Sequence, residues 1–350
     1  MKRAQAVEAA RSWVREEAYA LPGFCGAYLS GSILEAADGD IWPESSDVDV
    51  VLVLRDPNEI PAFGKFRYGE ALLEITLLER SAFHSLEHVL RTHYLAFALN
   101  AGVILSDPEG WLVRLHRQTA SAYARPEWVR ARYRGFLAGI RRSAEEFDAT
   151  VPYPARVNSW LFPTGISTFP ILAAALCNCT VRRRYARARE ALQQYGLGDF
   201  YPALLRQLVG DGFDPACLPG HLDALAETFD LACETSGPSD AYRFRSDIRP
   251  QARPIAIDGC RQMLSSEHPQ DAIFWMGVTF ARCQTVLALD DPALSARRLS
   301  AFRAFMADIG IAQDGDFVRR FAQLEAFLPQ IERIAERIMR TRPECAVLFH

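Results

Sequence analysis

The sequence predicts an α+β protein in which an N-terminal mixed α/β sheet is followed by a mostly α-helical C-terminal part. Apolar runs of strand length recur in the first third of the chain. Segments with helical spacing alternate with these runs, which is typical of a mixed sheet with helices. Beyond about residue 120 the apolar residues recur almost entirely at helical spacing. We therefore predict one domain at 1–120 and a helical domain at 121–350.

The N-terminal elements are justified in order along the chain. Residues 3–20 have helical spacing and end before Pro22 and Gly23, a turn signal. The segment from Ser81 to Leu99 is helical, with Ser81 as its predicted N-cap. Apolar runs predict strands at 25–31, 47–54, about 66–79 and 102–106.

The C-terminal part begins with Glu127–Phe147, whose apolar residues occupy one helical face. A proline-rich break is predicted at Val151–Pro154. A polar, Arg-rich segment at about 240–260 contains the β-like run Pro254–Ile257, and we predict either a hairpin or a loop there. Further helices are predicted at 165–178, 181–195, 199–210, 219–235, 269–289, 293–308 and 316–340.

Composition and charge are those of an ordinary soluble protein with room for two domains, since the chain has 350 residues and a formal net charge of −4. The slight negative charge argues against bulk nucleic-acid binding. The apolar segment Ala272–Leu289 is interrupted by Arg282, which predicts a buried helix and no membrane partner. The eight cysteines are scattered without CxxC pairs, so we interpret them as small core residues of a reduced, cytoplasmic protein.

Two acidic residues open the most apolar strand of the chain. Asp47 and Asp49 flank Val48 and precede an aliphatic run that ends at Leu54. Residues two apart in a strand point to the same side, so both carboxylates project together. Paired carboxylates repel each other and are costly to bury without a cation. Mg²⁺ with a nucleotide's phosphates is the expected partner.

A third acid, Glu74, lies alone inside the apolar run Ala71–Leu78. If this strand neighbours the Asp47 and Asp49 strand, the three carboxylates form one cluster. Such a cluster can hold two metal ions about 3.5–4 Å apart, which activate an attacking hydroxyl and neutralise a leaving pyrophosphate. Asp47, Asp49 and Glu74 are therefore the predicted catalytic and metal-binding residues, and two Mg²⁺ ions are the predicted cofactors.

Gly31 and Ser32 close the first strand, where a hydroxyl and backbone N–H groups meet phosphates at the start of a helix. This pattern resembles the nucleotidyltransferase superfamily with a DNA polymerase β-like core. Its three parts are a glycine-serine pair, an aspartate-x-aspartate pair on the next strand and a third acid on a later strand. The sequence around Ser46 and the strand before Asp107 are also similar to that superfamily. The antibiotic (aminoglycoside-type) adenylyltransferases and the minimal bacterial nucleotidyltransferases with a helical C-terminal domain are the members that the chain most resembles.

The resemblance covers about the first third of the chain and implies nucleotide binding by Gly31, Ser32 and Ser46. The gap between Ser32 and Asp47 is longer than in the compact members. It adds a loop with Asp38, Asp40 and Trp42.

In similar proteins the helical domain supplies cations to the nucleotide. The densest basic stretch here is 180–190, and on a helix Arg183 and Arg187 would share a face. Arginine is suited to phosphate oxygens. We predict that Arg183 and Arg187 bind the nucleotide, with Tyr185 as a base or sugar contact. The alternative is a solvated face paired with Glu190. Lys65 and Arg67 are weaker candidates.

One further motif, from His84 to His88 with Glu87 between them, matches the H-x-x-E-H order of the inverted zinc peptidases. Short motifs often match by chance, and the sequence offers no obvious third ligand at helical spacing. Glu87 or His93 is instead a candidate general base for an acceptor hydroxyl.

The predicted function is Mg²⁺-dependent transfer of a nucleoside monophosphate, with AMP from ATP as the expected transfer, to a hydroxyl of a small molecule, releasing pyrophosphate. One alternative keeps the chemistry and has a protein or RNA acceptor, as in regulatory or toxin–antitoxin members. Another is a non-catalytic nucleotide-binding regulator. The sequence leaves the choice of NTP, the acceptor and the oligomeric state open.

Overall fold

The computed structural model, which describes residues 1–342, has the predicted α+β architecture. Strands of the described range form one mixed sheet in the N-terminal part, and helices make up most of the rest. The chain divides into two compact units, Met1–Arg132 and Tyr133–Arg342, so the division falls inside one helix. The predicted boundary at residue 120 lies near the end of the preceding helix.

The sheet of the first unit has the strand order β3-β4-β2-β1-β5. β2 and β4 run parallel, whereas the other neighbouring strands are antiparallel. The single run predicted at 66–79 is a hairpin of two strands, since Gly69, with φ of +58°, allows a tight turn between them. The strands are β1 (Phe24–Ser30), β2 (Val48–Leu54), β3 (Gly64–Tyr68), β4 (Ala71–Glu79) and β5 (Ile104–Ser106).

Helices of the first unit differ from the predictions at their ends and by one helix, Trp111–Ala122, that was not predicted. The predicted helix 3–20 is α-helical to Trp13 and continues as a π-helix, Val14–Ala18. The segment predicted as one helix from Ser81 is instead a 3₁₀ turn followed by two helices, and the N-cap is Ser85, whose hydroxyl accepts from the His88 N–H at 3.1 Å. The helices are α1 (Arg3–Trp13), α2 (Leu86–Arg91), α3 (His93–Ala101), α4 (Trp111–Ala122) and α5 (Pro126–Glu145), which crosses the division.

Both faces of the sheet are covered, and β2 shows why its sequence is almost entirely apolar. Val50 and Leu52 pack in the cluster that contains α1, whereas Val51 and Val53 pack in the cluster that contains α3 and α4. A strand buried on both faces needs apolar residues at every position. Asp49 has the same parity as Val51 and Val53, so it projects on the α3 and α4 side, at the start of the strand.

The second unit is helical, as predicted. The predicted proline-rich break is present but ends earlier than Pro154: residues 146–152 are not helical, and a helix starts at Tyr153 because proline is tolerated in the first turn. Two helices of this unit, Tyr153–Ile166 and Gly259–Leu264, were not predicted, and the helix predicted at 165–178 is only Phe169–Ala174. The other predicted helices match the structure to within about one turn at each end. The helices that follow α5 are α6 (Tyr153–Ile166), α7 (Phe169–Ala174), α8 (Arg184–Gln194), α9 (Tyr201–Val209), α10 (Leu218–Glu234), α11 (Gly259–Leu264), α12 (Ile273–Asp290), α13 (Pro292–Asp308) and α14 (Gly315–Thr341).

The Arg-rich segment before α11 contains 3₁₀ turns and a π-helix, Pro254–Asp258. The hairpin alternative for this segment is therefore wrong. In the described range, one helix, Pro269–Asp290, is long and apolar enough to cross a membrane. In its most apolar stretch of 18 residues, 83% is buried inside the protein. The core helix of a soluble protein passes the same test.

Candidate active site

A row of polar residues crosses four neighbouring strands at one level of the sheet. Ser30 on β1 pairs with Asp49 on β2, Asp49 pairs with Glu74 on β4, and Glu74 pairs with Lys65 on β3. Residues paired across strands project to the same face. The strand register therefore brings an acid from each of the neighbouring strands β2 and β4, with a lysine beside them, to one place.

The three predicted metal ligands converge there. Carboxylate oxygens of Asp47, Asp49 and Glu74 all lie within 4.8 Å of one another, and all three residues are partly buried. Asp47 directly precedes β2, two residues before Asp49, as the alternation of side chains predicted. An all-carboxylate donor set fits Mg²⁺ or Mn²⁺, which prefer oxygen ligands.

Lys65 is part of this cluster, which sequence reasoning missed by treating it as a weak nucleotide contact. Its Nζ lies 2.8 Å from Oδ2 of Asp47 and also forms an ion pair with Glu74. Its side chain is only 6% exposed. A lysine this deeply buried requires carboxylate partners. The sequence signal was a charged residue at the position of β3 that faces Glu74, but the register was needed to use it.

Electrostatics differ sharply between the two aspartates. Burial raises the pKa of Asp47, but attraction and hydrogen bonding by the Lys65 ammonium outweigh it, and the net pKa is lowered. Burial and the negative charges of Asp47 and Glu74 raise the pKa of Asp49 well above its usual range. One ammonium faces three acids, so the site attracts further positive charge beside Asp49.

Gly31 follows β1 and starts the 3₁₀ turn Gly31–Leu34. Its φ is +72°, and a Cβ placed there would lie 2.6 Å from the carboxyl carbon of Asp49. Only glycine meets both conditions. Ser32, the next residue, is exposed. The turn thus lies against the acid cluster, and the Ser32 hydroxyl is accessible.

Ser46 immediately precedes Asp47, and its backbone N–H donates to the Pro43 carbonyl at 3.1 Å. It lines a cavity of about 380 Å³ beside the β3–β4 hairpin. The cavity is also lined by Leu72, two residues before Glu74 on the same strand. Polar groups in its wall include Glu44, Arg67 and Glu70.

The predicted arginines lie in the second unit, where both contact one acid. Arg183 is the N-cap of α8, and its guanidinium is 3.4 Å from Glu190, while that of Arg187 is 2.9 Å from it. This pairing is the one expected of the solvated-face alternative. Tyr185 is fully buried, and its hydroxyl donates to the Thr164 carbonyl at 3.3 Å.

The H-x-x-E-H motif does not assemble three zinc ligands in the described residues. The His84 and His88 rings pack against each other with centroids 4.5 Å apart, and Glu87 pairs with Arg91 at 3.0 Å. Glu87 is exposed. His93 is half-buried and stacks on Phe97, and burial lowers its pKa to about 3.

Comparisons with known proteins do not identify a family for this chain. No protein-family model matches the sequence, and no curated protein matches it. A search of solved structures finds a nucleotidyltransferase-like protein from Exiguobacterium sibiricum 255-15, with 11% sequence identity over 95% of this chain and 91% of that one, at a TM-score of 0.25. A TM-score this low supports no conclusion about fold or activity, so the function below is inferred from the geometry of the acid cluster.

Proposed function

We propose that this protein is a nucleotidyltransferase that moves a nucleoside monophosphate, AMP from ATP, to a hydroxyl of a small molecule and releases pyrophosphate. One observation is the basis of this proposal. Asp47, Asp49 and Glu74 converge from two neighbouring strands directly beside the turn at Gly31. Three clustered carboxylates next to an accessible turn of backbone N–H groups are suited to metal-dependent phosphate chemistry.

The acids would hold two Mg²⁺ ions, which polarise the transferred phosphoryl group and lower the pKa of the attacking hydroxyl. Gly31 lets the backbone approach the Asp49 carboxylate, and Ser32 presents its hydroxyl to the phosphates. Lys65 holds the Asp47 and Glu74 carboxylates together. We infer that it keeps the acids converged before the nucleotide arrives, which reduces the reorganisation needed on binding.

A small acceptor is supported by the cavity beside Ser46. Its volume of about 380 Å³ lies within the usual range for small-molecule sites. Glu44 and Glu70 in its wall offer carboxylates to a polar or cationic acceptor. An RNA acceptor is less favoured because the chain has a net charge of −4 and no global basic field. We propose a cytoplasmic protein without a membrane partner, since residues 1–342 contain cysteines that form no disulfide with each other.

The test has two stages. In the first, thermal unfolding is measured with each NTP, with and without Mg²⁺, for the wild type and Asp49→Asn. Saturating ligand at about 100 times its Kd stabilises a protein by about 2.7 kcal/mol. We expect a Mg²⁺-dependent rise in Tm for the wild type and none for the variant. No rise with any NTP would contradict the proposal.

In the second stage, NTP labelled on the α-phosphate is incubated with the protein and with small-molecule, protein or RNA acceptors. Label transferred to a small hydroxyl compound supports the proposal as stated. Label found on protein or RNA instead would overturn the acceptor class while retaining the chemistry. Nucleotide binding without transfer to any acceptor would favour the non-catalytic regulator.

A further inference from the structure

A second group of metal-ligating side chains lies in the helical unit, remote in sequence from the acid cluster. Among residues 1–342, Cys217, His221 and Asp308 place one ligand atom each within 4.8 Å of one another. Cys217 and His221 are half-buried, whereas Asp308 is exposed. The cysteine was interpreted from sequence as a small core residue, and this position is inconsistent with that interpretation.

Two helices position the three side chains. Cys217 ends the 3₁₀ turn Pro215–Cys217, directly before α10, and His221 lies four residues later in the first turn of α10. Residues four apart share a helical face. Asp308 is the last residue of α13. The Cys-x-x-x-His spacing was visible in the sequence, but the third donor comes from a helix about 90 residues further along the chain.

The imidazole is held in place from two sides. His221 Nε2 is 2.7 Å from Oδ2 of Asp308, and its ring packs edge to face on Phe305 with centroids 5.4 Å apart. Phe305 lies three residues before Asp308 on α13. The carbonyl end of α13 also carries partial negative charge, which favours a cation beside Asp308.

The three kinds of ligand atom indicate which metal ions would bind. A thiol, an imidazole and a carboxylate together suit Zn²⁺ and Co²⁺, whereas Mg²⁺ and Ca²⁺ prefer oxygen ligands alone. Bonds of about 2.0–2.3 Å place tetrahedral ligand atoms about 3.3–3.8 Å apart. The His221–Asp308 pair must therefore open slightly around an ion, which the exposure of Asp308 permits.

We propose that Cys217, His221 and Asp308 form a binding site for a Zn²⁺-like divalent metal ion, with a fourth position open to water. A Cys–His–Asp nucleophile is the competing arrangement. It would require the imidazole to accept the thiol proton. Here the Cys217 thiol instead donates to the Asp214 carbonyl at 3.0 Å. This contact thus favours ligation over nucleophilic catalysis.

The test titrates the full-length, chelator-treated protein with Co²⁺. A charge-transfer band from thiolate to cobalt shows that a cysteine is a ligand. The acid cluster contains no thiol and cannot produce this band. We expect the band to saturate at one equivalent, to vanish on adding Zn²⁺ and to be absent in Cys217→Ser. Absence of the band in the wild type, or its persistence in Cys217→Ser, would overturn the proposal.

Matched variants separate this site from other cysteines and from the acid cluster. Cys233→Ser, which changes a half-buried cysteine on α10, should keep the band. Asp49→Asn should also keep the band, so a failure of the metal-site proposal would be independent of the proposed nucleotidyl transfer.

Asp308→Asn should weaken Zn²⁺ binding by at least about tenfold. Removing only a hydrogen-bond partner of a metal ligand already weakens binding by about that factor. Unchanged affinity in Asp308→Asn would exclude the carboxylate as a ligand and contradict the three-residue site. Circular dichroism checks that each variant is folded.

Discussion

Gly31 lies so close to Asp49 that a side chain at position 31 would overlap the carboxylate, with a Cβ 2.6 Å from its carboxyl carbon. Gly31→Ala therefore adds a steric clash to the strain of a φ of +72°. We expect the variant to lose about 1–3 kcal/mol of stability and its Mg²⁺-dependent nucleotide binding, measured by urea unfolding and thermal shift.

Gly69→Ala is the matched control for Gly31. Gly69 also has a positive φ, +58°, but a Cβ there would meet nothing within 4 Å. We expect backbone strain alone, with nucleotide binding unchanged. Equal effects of the two variants on binding would show that proximity to Asp49 is unimportant.

Asp49→Asn removes a negative charge from a partly buried cluster of three acids while keeping the shape of the side chain. Relief of repulsion should raise the stability of the nucleotide-free protein by up to about 2 kcal/mol, as often occurs when a functional site is neutralised. The same variant should lose Mg²⁺-dependent nucleotide binding. Glu17→Gln, at an exposed position on the π-helix, is the control that should change neither quantity. A variant that is destabilised without any change in nucleotide binding would indicate a structural role for Asp49.

Lys65→Met leaves the buried acids without their ammonium partner. Removing one member of a fully buried ion pair costs about 3–5 kcal/mol. Asp47 and Glu74 remain 19% and 34% exposed, so we expect a smaller but measurable loss of stability in EDTA. Added Mg²⁺ should restore more stability to the variant than it adds to the wild type, because the ion replaces the missing positive charge. Urea unfolding with and without Mg²⁺ measures both effects.

Arg67→Met is the control for Lys65, two residues along β3 on the same face. The Arg67 guanidinium donates to the Glu70 carbonyl at 3.2 Å, on the exposed hairpin. Its loss should cost about 1 kcal/mol or less and should show no rescue by Mg²⁺. If Lys65→Met behaves in the same way, Lys65 is not a partner of the acids.

Because burial shifts the pKa of His93, we expect the free energy of unfolding to depend on pH. Burial first and the nearby Arg132 second lower the pKa of His93 to about 3. Below the unfolded pKa of about 6.5, the unfolded chain binds a proton that the folded chain does not, so stability falls as pH decreases from about 6.5 towards 3. At pH 5.5 we expect a loss of about 1 kcal/mol relative to pH 7.5.

Urea unfolding of His93→Gln at both pH values checks this prediction. The variant should lose that part of the pH dependence, whereas His84→Gln, at an exposed histidine, should retain it. A wild-type slope that survives in His93→Gln would assign the effect to other groups.

The local sequence pattern was sufficient to identify the acids of the candidate site. Asp47 and Asp49 open an apolar strand, and side-chain alternation requires both to project to one side. Glu74 was recognisable because a lone carboxylate inside an apolar run needs a partner. Most of the longer helices of the second unit were also predictable, since their apolar faces repeat along the sequence.

Other features escaped local reasoning. The run at 66–79 was predicted as one strand, because the turn at Gly69 gives only a weak local signal. Ser81 was preferred to Ser85 as an N-cap, although both are serines before apolar residues. The helix at Tyr153 was missed because Pro154 was interpreted as a breaker, whereas proline is tolerated in the first turn.

The sequence by itself determined which strands carry the acids, that Asp47 and Asp49 face one way, and that Gly31 and Ser32 lie at the end of the first apolar run. Only the tertiary structure decided that Lys65 joins those acids and that Cys217 and His221 meet Asp308. The physical reason is that alternation and helical periodicity are local properties of the backbone. Strand register and helix packing instead depend on the whole core, and they bring together residues whose separation along the chain carries no signal.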